Sequence, residues 1–270
     1  MLRCVAMLGL LAGGAGAWAA EPVKICLGGG NEWPPFTYWE RHDGKPDQSR
    51  LTGSAATLVL TALKHLGYDY DVSYLPWARV QQELADYASR QNCEVTWDAS
   101  YTPERAAFAH YSEPLYHTRL GLFYSATRFP SPPDIKAPGA LASQRLCGVI
   151  GYNYDPYGIT DEPQRVASVQ QALDLVTRQR CDLFPSEIEP LYGGIELGAY
   201  RADGTLRYLV LPSRKAFYLL VARSSPRGEA LVKALNGELR AMNASGETEA
   251  IFQRFRPAGL DQPPVGAHSQ

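Results

Sequence analysis

The chain predicts an α/β fold built twice over. Between residues 23 and 97, strand-like and helix-like stretches follow one another as β-α-β-α-β, the order that builds a sheet covered by helices. From residue 146 a strand, a polar turn, a helix and a strand begin the pattern again. Each half also carries one strand with a cysteine and a later strand opening Cys-acid-apolar: Cys26 then Cys93-Glu94-Val95, and Cys147 then Cys181-Asp182-Leu183.

Residues 1–19 read as a signal peptide. Arg3 supplies the positive end, an apolar and small-residue run follows, and Ala17-Trp18-Ala19 fits an A-x-A site cut after Ala19. Cys4 precedes the apolar run, where a lipid-anchor cysteine would follow it. The mature protein is therefore expected to be exported and soluble. Its 250 or so residues suffice for two lobes with proper cores.

In the first half, 23–27 is a short buried strand, and Trp33-Pro34-Pro35-Phe36 forms a proline-braced loop. Gly28-Gly29-Gly30 is not a dinucleotide fingerprint, because G-x-G-x-x-G is absent and the prolines forbid the helix it must open. The aromatics of this loop either wall a cleft or cover a sheet edge. Residues 41–50 read as a polar loop turning at Asp43-Gly44, 54–66 as a helix stopped by Gly67, 70–74 as a strand, and 77–90 as a second helix. A strand through Val95 and Trp97 then ends in a polar turn. Thr102 suits a helix cap and Pro103 a first helical position, so Arg105 lies about one turn inside. Such a turn with a guanidinium favours an anion; equally, Arg105 could pair with Glu104 or Glu113 on the surface.

Residues 120–124 read as a strand, and the proline-rich passage 129–138 as a crossing into the second lobe. There follow a strand over 146–150, a turn at Gly151-Tyr152-Asn153-Tyr154, a helix over 169–178, a strand at 182–184, a helix opened by Glu187, and a strand over 206–211. The apolar run 216–221 is the return crossing. Two amphipathic helices, 227–242 and 247–255, close the fold before a tail from 257 expected to be disordered. The lobes are therefore expected as 20–124 with 216–256, and 125–215.

Charge and cysteine usage narrow the function. Without Arg3 the 26 basic residues become 25, against 28 acidic, a net charge of −3 that argues against nucleic acid, and no basic run suggests a membrane surface. Of five cysteines Cys4 leaves with the signal, and four in an oxidising compartment point to disulfides. Three pairings are possible; the duplicated context selects Cys26 with Cys93 and Cys147 with Cys181. No C-x-x-C or histidine cluster suggests a metal. Sixteen tyrosines and five tryptophans are material for a pocket holding a small polar ligand.

W-P-P-F at Trp33 to Phe36, L-P-W-x-R at Leu75 to Arg79, S-x-T-x-x-R at Ser100 to Arg105, Y-S-E-P-L-Y at Tyr111 to Tyr116, G-Y-N-Y at Gly151 to Tyr154 and R-C-D-L at Arg180 to Leu183 occur in this order. The set resembles the bacterial family 3 extracellular solute-binding proteins, the periplasmic receptors of polar amino-acid ABC importers. The resemblance implies two α/β lobes joined by two crossing strands, the type II periplasmic-binding fold, closing on a ligand. It implies a monomer whose partners are a small-molecule ligand and the membrane permease of an ABC importer, with no cofactor and no catalysis. By the same resemblance Arg105 grips the ligand's carboxylate with Ser100, and Trp33, Phe36 and Trp77 sandwich its body. Asn153 contacts the carboxylate from the second lobe, and Glu187 receives an ammonium.

One position departs from the pattern. Asp98 stands where a small neutral residue is usual; a buried carboxylate near Arg105 either recruits a second cation or signals a ligand that is not a standard amino acid. Two further readings stay open. One is an enzyme on the same scaffold, resembling periplasmic cyclohexadienyl dehydratases, with Asp98, Glu187, His110 or His117 as acid or base. The other is an accessory module that kept the fold and lost the ligand.

Overall fold

The computed structural model describes residues 21–135, 139–159 and 161–256. The signal peptide expected over 1–19 and the tail over 257–270 lie outside the described residues.

The first lobe opens with β1 (Val23–Gly28), a hairpin of β2 (Tyr38–His42) and β3 (Lys45–Thr52), α1 (Ser54–His65), β4 (Tyr70–Leu75), α2 (Trp77–Ala85), α3 (Tyr87–Arg90), β5 (Val95–Ala99) and α4 (Pro103–Phe108). β6 (Ala109–Ser125) leads into the second lobe. That lobe holds β7 (Cys147–Val149), a 3-10 turn (Asp155–Tyr157), β8 (Gln164–Val166), α5 (Val169–Thr177), β9 (Phe184–Glu187) and α6 (Ile188–Glu196). β10 (Leu206–Ala222) returns, and α7 (Gly228–Ser245) and α8 (Glu247–Arg254) finish on the first lobe, where α8 packs on α1.

The largest sheet runs β4-β1-β5-β10-β6-β9. β1 pairs in parallel with β4 and β5, as a βαβ unit requires. β6 and β10 are antiparallel partners over almost their whole length and are the two strands that join the lobes. Tyr218, Leu220 and Val221 of β10 pair with β5, while Leu120–Phe123 of β6 pairs with β9. The register slips between Val210 and Arg214, around Pro212, which has no N–H to give the ladder.

Three stretches differ from the sequence expectation. Residues 41–50 form most of a hairpin rather than a loop; its strands are polar and largely exposed, so no alternation marks them, and Asp43 and Gly44, at φ 51° and 74°, make the turn. Residues 109–125 and 206–222 are each one long strand, where the sequence led to separate stretches at 120–124, 206–211 and 216–221; Pro114 and Pro212 lie within them. The 77–90 helix is two pieces, α2 ending at Ala85 and α3 running only over Tyr87–Arg90.

Each lobe has its own core. Ile25, Leu58, Leu63, Val95, Trp97 and Leu235 are among the buried residues of the first, and Phe123, Val149, Leu173, Phe184 and Ile188 of the second. Gly53, at φ 112°, is required where α1 begins, since a Cβ there would lie 2.3 Å from the Phe36 carbonyl oxygen. Cys26 is joined to Cys93 and Cys147 to Cys181, with Cα atoms 5.4 and 5.8 Å apart, one bridge in each lobe. Replacing Cys26 and Cys93 with Ser is expected to cost about 2–4 kcal/mol in urea unfolding, and the Cys147/Cys181 pair somewhat less. The reason is the longer first loop, with sequence separations of 67 against 34. Equal midpoints with and without reductant would contradict this.

Candidate functional site

A cavity of about 440 Å³ lies between the lobes. From the first lobe it is lined by Trp33, Trp77, Asp98, Ser100 and Arg105; from the second by Val149, Tyr152 and Glu187; and from the crossing strand β10 by Lys215 and Phe217. Six of the eight ligand-site residues expected from sequence thus share one cavity: Trp33, Trp77, Asp98, Ser100, Arg105 and Glu187.

Arg105 is placed by its helix cap. Thr102 is the cap residue of α4, its Oγ1 accepting from Arg105 N at 3.2 Å, with Pro103 at the first helical position. The side chain turns back over the end of β5. Nη1 donates to Ser100 O at 2.8 Å and Ser100 Oγ at 3.1 Å, and Nε to Gln81 Oε1 at 2.7 Å. Nη2 reaches Gly151 O of the second lobe at 2.8 Å. Burial pulls the guanidinium below its ordinary value, with Tyr111, Glu104 and Asp155 opposing. The pairing of Arg105 with Glu104 or Glu113 is not found; Glu113 is instead paired with Arg240.

Gly151 O, in a residue at φ 80°, is a hub of lobe contact. Besides Arg105 it accepts from Trp77 Nε1 at 3.1 Å and Gln81 Nε2 at 3.3 Å. Asn153 does not line the cavity. Its Nδ2 donates to Tyr101 O at 3.0 Å across the lobes, and its carbonyl accepts from Lys215 Nζ at 2.7 Å. On the opposite rim Val169 N donates to Asn31 Oδ1 at 3.1 Å, the Tyr200 hydroxyl donates to Glu32 O, and Trp33 meets Tyr152 edge-on at 5.7 Å. The lobes are therefore in direct contact on both sides of the cavity.

Phe36 also stays out of the cavity. It stacks on Tyr116, with ring centres 3.7 Å apart, and Tyr116 stacks in turn on Phe217 at 5.2 Å. Trp33 Nε1 donates to the hydroxyl of the same Tyr116, so Phe36 and Trp33 share that ring as a neighbour. Arg79, the last residue of L-P-W-x-R, pairs with Glu83 on α2.

Asp98 has the least ordinary environment. Its backbone adopts φ 58°, a left-handed conformation that Asp and Asn tolerate better than other side chains with a Cβ. Tyr116 Oη donates to Asp98 Oδ1 at 2.5 Å, and Trp33 Nε1 donates to Tyr116 Oη at 3.1 Å. Burial pushes the carboxyl up to about 7, with hydrogen bonds from Thr37 and Tyr116 only partly opposing. The same burial and the neighbouring Asp98 raise the Tyr116 hydroxyl.

Glu187 ends β9 where α6 begins and is buried. Its Oε1 accepts from Lys215 Nζ at 2.6 Å, both side chains being almost wholly removed from solvent. Burial lowers the Lys215 ammonium from its usual value, and Glu187 acts against that. Lys215 was not legible as a site residue. In the sequence it is one of two adjacent basic residues flanking an apolar strand, an arrangement typical of an exposed strand end. Among the described residues no group of three or more His, Cys, Asp or Glu side chains is placed to hold a metal.

Closure can be tested at the rim, away from the cavity. A Cβ on Gly193 of α6 would lie 2.8 Å from Pro34 O on the facing lobe. Gly193→Val is expected to prop the lobes apart, enlarging the radius of gyration in solution scattering; if closure is displaced to one molecule in ten, affinity falls about tenfold. An unchanged scattering curve would show that the rim contact does not limit closure.

Residues 25–258 match the bacterial extracellular solute-binding proteins, family 3. No curated protein matches the chain in sequence. Solved structures share the fold at low identity. A histidine kinase sensor domain with similarity to periplasmic binding proteins is 17% identical, with a TM-score of 0.68, covering 87% of this chain and 96% of its own. The substrate-binding protein of an amino acid ABC transporter is 16% identical, with a TM-score of 0.65 and coverage of 86% and 98%. The arginine-, lysine-, histidine-binding protein ArtJ from the thermophilic bacterium Geobacillus stearothermophilus is 13% identical, with a TM-score of 0.66 and coverage of 90% and 97%.

Proposed function

This chain belongs to the bacterial extracellular solute-binding proteins, family 3, and from that premise we propose that it is a periplasmic receptor delivering a small zwitterionic or carboxylate-bearing solute to an ABC importer. The observation that carries the reading is the cavity itself. Side chains of both lobes line it, so a molecule held there touches both and stabilises the closed arrangement, which is what differential binding requires. Arg105 and Ser100 form the anion-holding end. Trp33, Trp77, Tyr152 and Phe217 supply the apolar walls, and the two lobes are taken as 20–124 with 216–256, and 125–215. In this reading the protein is a monomer, exported after cleavage near Ala19, and its membrane partner is a permease.

Native mass spectrometry of protein purified without denaturation tests the proposal. A retained solute of small mass, one per chain, is expected. Titration calorimetry of ligand-stripped protein across amino acids, amines and organic acids then identifies it. Absence of both a retained solute and any heat of binding would remove the receptor reading.

One observation favours a second reading, an enzyme on the same fold. A carboxyl held at about 7 on the wall of the cavity between the lobes, as Asp98 is, suits a general acid or base at neutral pH. Turnover of prephenate-class substrates that disappears in Asp98→Asn would favour it; binding without turnover returns the protein to the receptors.

A further inference from the structure

We propose that the cationic group of the ligand is an amine received by Asp98 of the first lobe, not by Glu187 of the second, and that this amine is carried on an aromatic or bulky apolar body. The inference rests on the receptor reading and names the ligand class for the same cavity.

Glu187 is already committed. Its Oε1 holds Lys215 Nζ at 2.6 Å, and that ammonium also donates to Asn153 O at 2.7 Å. The pair is buried and neutral as a unit. A ligand ammonium that displaced Lys215 from Glu187 would leave Lys215 charged and unpaired in the interior, and one that shared the carboxylate would set two ammonium groups on a single negative charge.

Asp98 stands in the opposite condition. It lines the cavity, and the donors it has are neutral: the Tyr116 hydroxyl at 2.5 Å and, beside it, Thr37. Among the described residues no lysine, arginine or histidine forms an ion pair with it. A carboxylate taken from water without a cation is costly unless a bound group supplies the charge. The walls suit such a group. Trp33, Trp97, Tyr152 and Phe217 face the same space, and electron-rich ring faces attract an alkylammonium while their surfaces hold an apolar body.

Arg105 completes the argument. Its bonds go to the neutral acceptors Gln81 Oε1, Ser100 O and Oγ, and Gly151 O, with no carboxylate in an ion pair with it among the described residues. A ligand carboxylate can take the place of Gly151 O on the guanidinium. The first lobe alone then offers an acid for the amine and a guanidinium for the carboxylate, while the second lobe contributes a self-neutralised pair.

The test is titration calorimetry of ligand-stripped protein with three probes of one aromatic body: L-phenylalanine, 2-phenylethylamine and 3-phenylpropionate. The amine-bearing probes are expected to bind more tightly than 3-phenylpropionate. In Asp98→Asn, which keeps the backbone preference and an acceptor for Tyr116, their affinity is expected to fall about 100-fold, the scale of a lost buried charge contact. A merely structural loss would weaken all three probes, so 3-phenylpropionate binding in the variant must not fall. If 3-phenylpropionate binds the parent protein as tightly as the amines, or if Asp98→Asn leaves amine affinity unchanged, the assignment of Asp98 is overturned and the receptor reading stands. If none of the three binds, the aromatic-amine class is overturned, and the receptor reading is decided separately by the solute retained in native mass spectrometry.

Discussion

Asp98→Asn is expected to become progressively more stable than the parent protein as pH rises from 4 to 7, the difference levelling near 4 kcal/mol above that range, by linkage. The Asp98 carboxyl sits at about 7 in the folded chain against 3.8 for the free side chain. Below 3.8 both states are protonated and Asp98 makes no difference. Between 3.8 and 7 the unfolded chain releases its proton while the folded chain keeps it, so stability is lost as pH increases, at about 1.4 kcal/mol per unit. Above 7 the folded state is ionised too and the loss is complete. Asn cannot titrate and shows none of this. The charged groups sharing the cavity, Arg105, Lys215 and Glu187, are present in both proteins, so the difference reports Asp98 together with the groups that touch it, first the Tyr116 hydroxyl. Urea unfolding of ligand-free parent and variant at half-unit pH steps measures it. A pH-independent difference would mean that Asp98 titrates as an ordinary surface acid. The gain expected in stability accompanies a loss expected in amine affinity, the usual exchange where a strained buried charge serves binding.

Lys215→Met should be the most damaging single substitution in the cavity. Lys215 is 5% exposed and Glu187 2%. Removing the ammonium leaves a buried carboxylate without a cation, at a cost of about 3–5 kcal/mol, and frees the Asn153 carbonyl as well. For a chain of this size that corresponds to a fall in melting temperature of roughly 10 °C. Replacing both members, E187M with K215M, removes the charge imbalance and is expected to recover most of the loss, because two apolar side chains of similar volume need no desolvation. The coupling between the two sites in a double-mutant cycle is the decisive quantity. Additive losses would show that the pair is solvated in solution.

Much of the fold was open to reading in one dimension. The periods of 2 and 3.6 are local properties, so β1, α1, β4, β5, α5 and α7 stand where apolar spacing places them. Thr102 and Pro103 announce α4 because a cap uses only neighbouring groups. The duplicated cysteine contexts select the bridges for a similar reason, each pair lying within one half of the chain. The hairpin β2–β3 and the full length of β6 and β10 were hidden. The hairpin buries little apolar surface, and in the long strands proline looks like a stop unless the partner strand shows a slipped register to accommodate it.

The site divides the same way. The residue types that could hold a zwitterion, Asp98, Arg105 and Glu187, are visible at their motif positions, because the backbone turns that present them are set by adjacent residues. Which charge is spent and which is available depends on partners far along the chain: Lys215 lies 28 residues from Glu187, Gly151 46 from Arg105, and Tyr116 18 from Asp98. Electrostatic energy between buried groups depends on distance in space and on burial. The order of the amino acids therefore dictates two α/β halves, their bridges and a guanidinium at a strand end, while the folding of the second lobe and β10 against the first pairs Glu187 with Lys215 and leaves Asp98 without an ion-pair partner among the described residues.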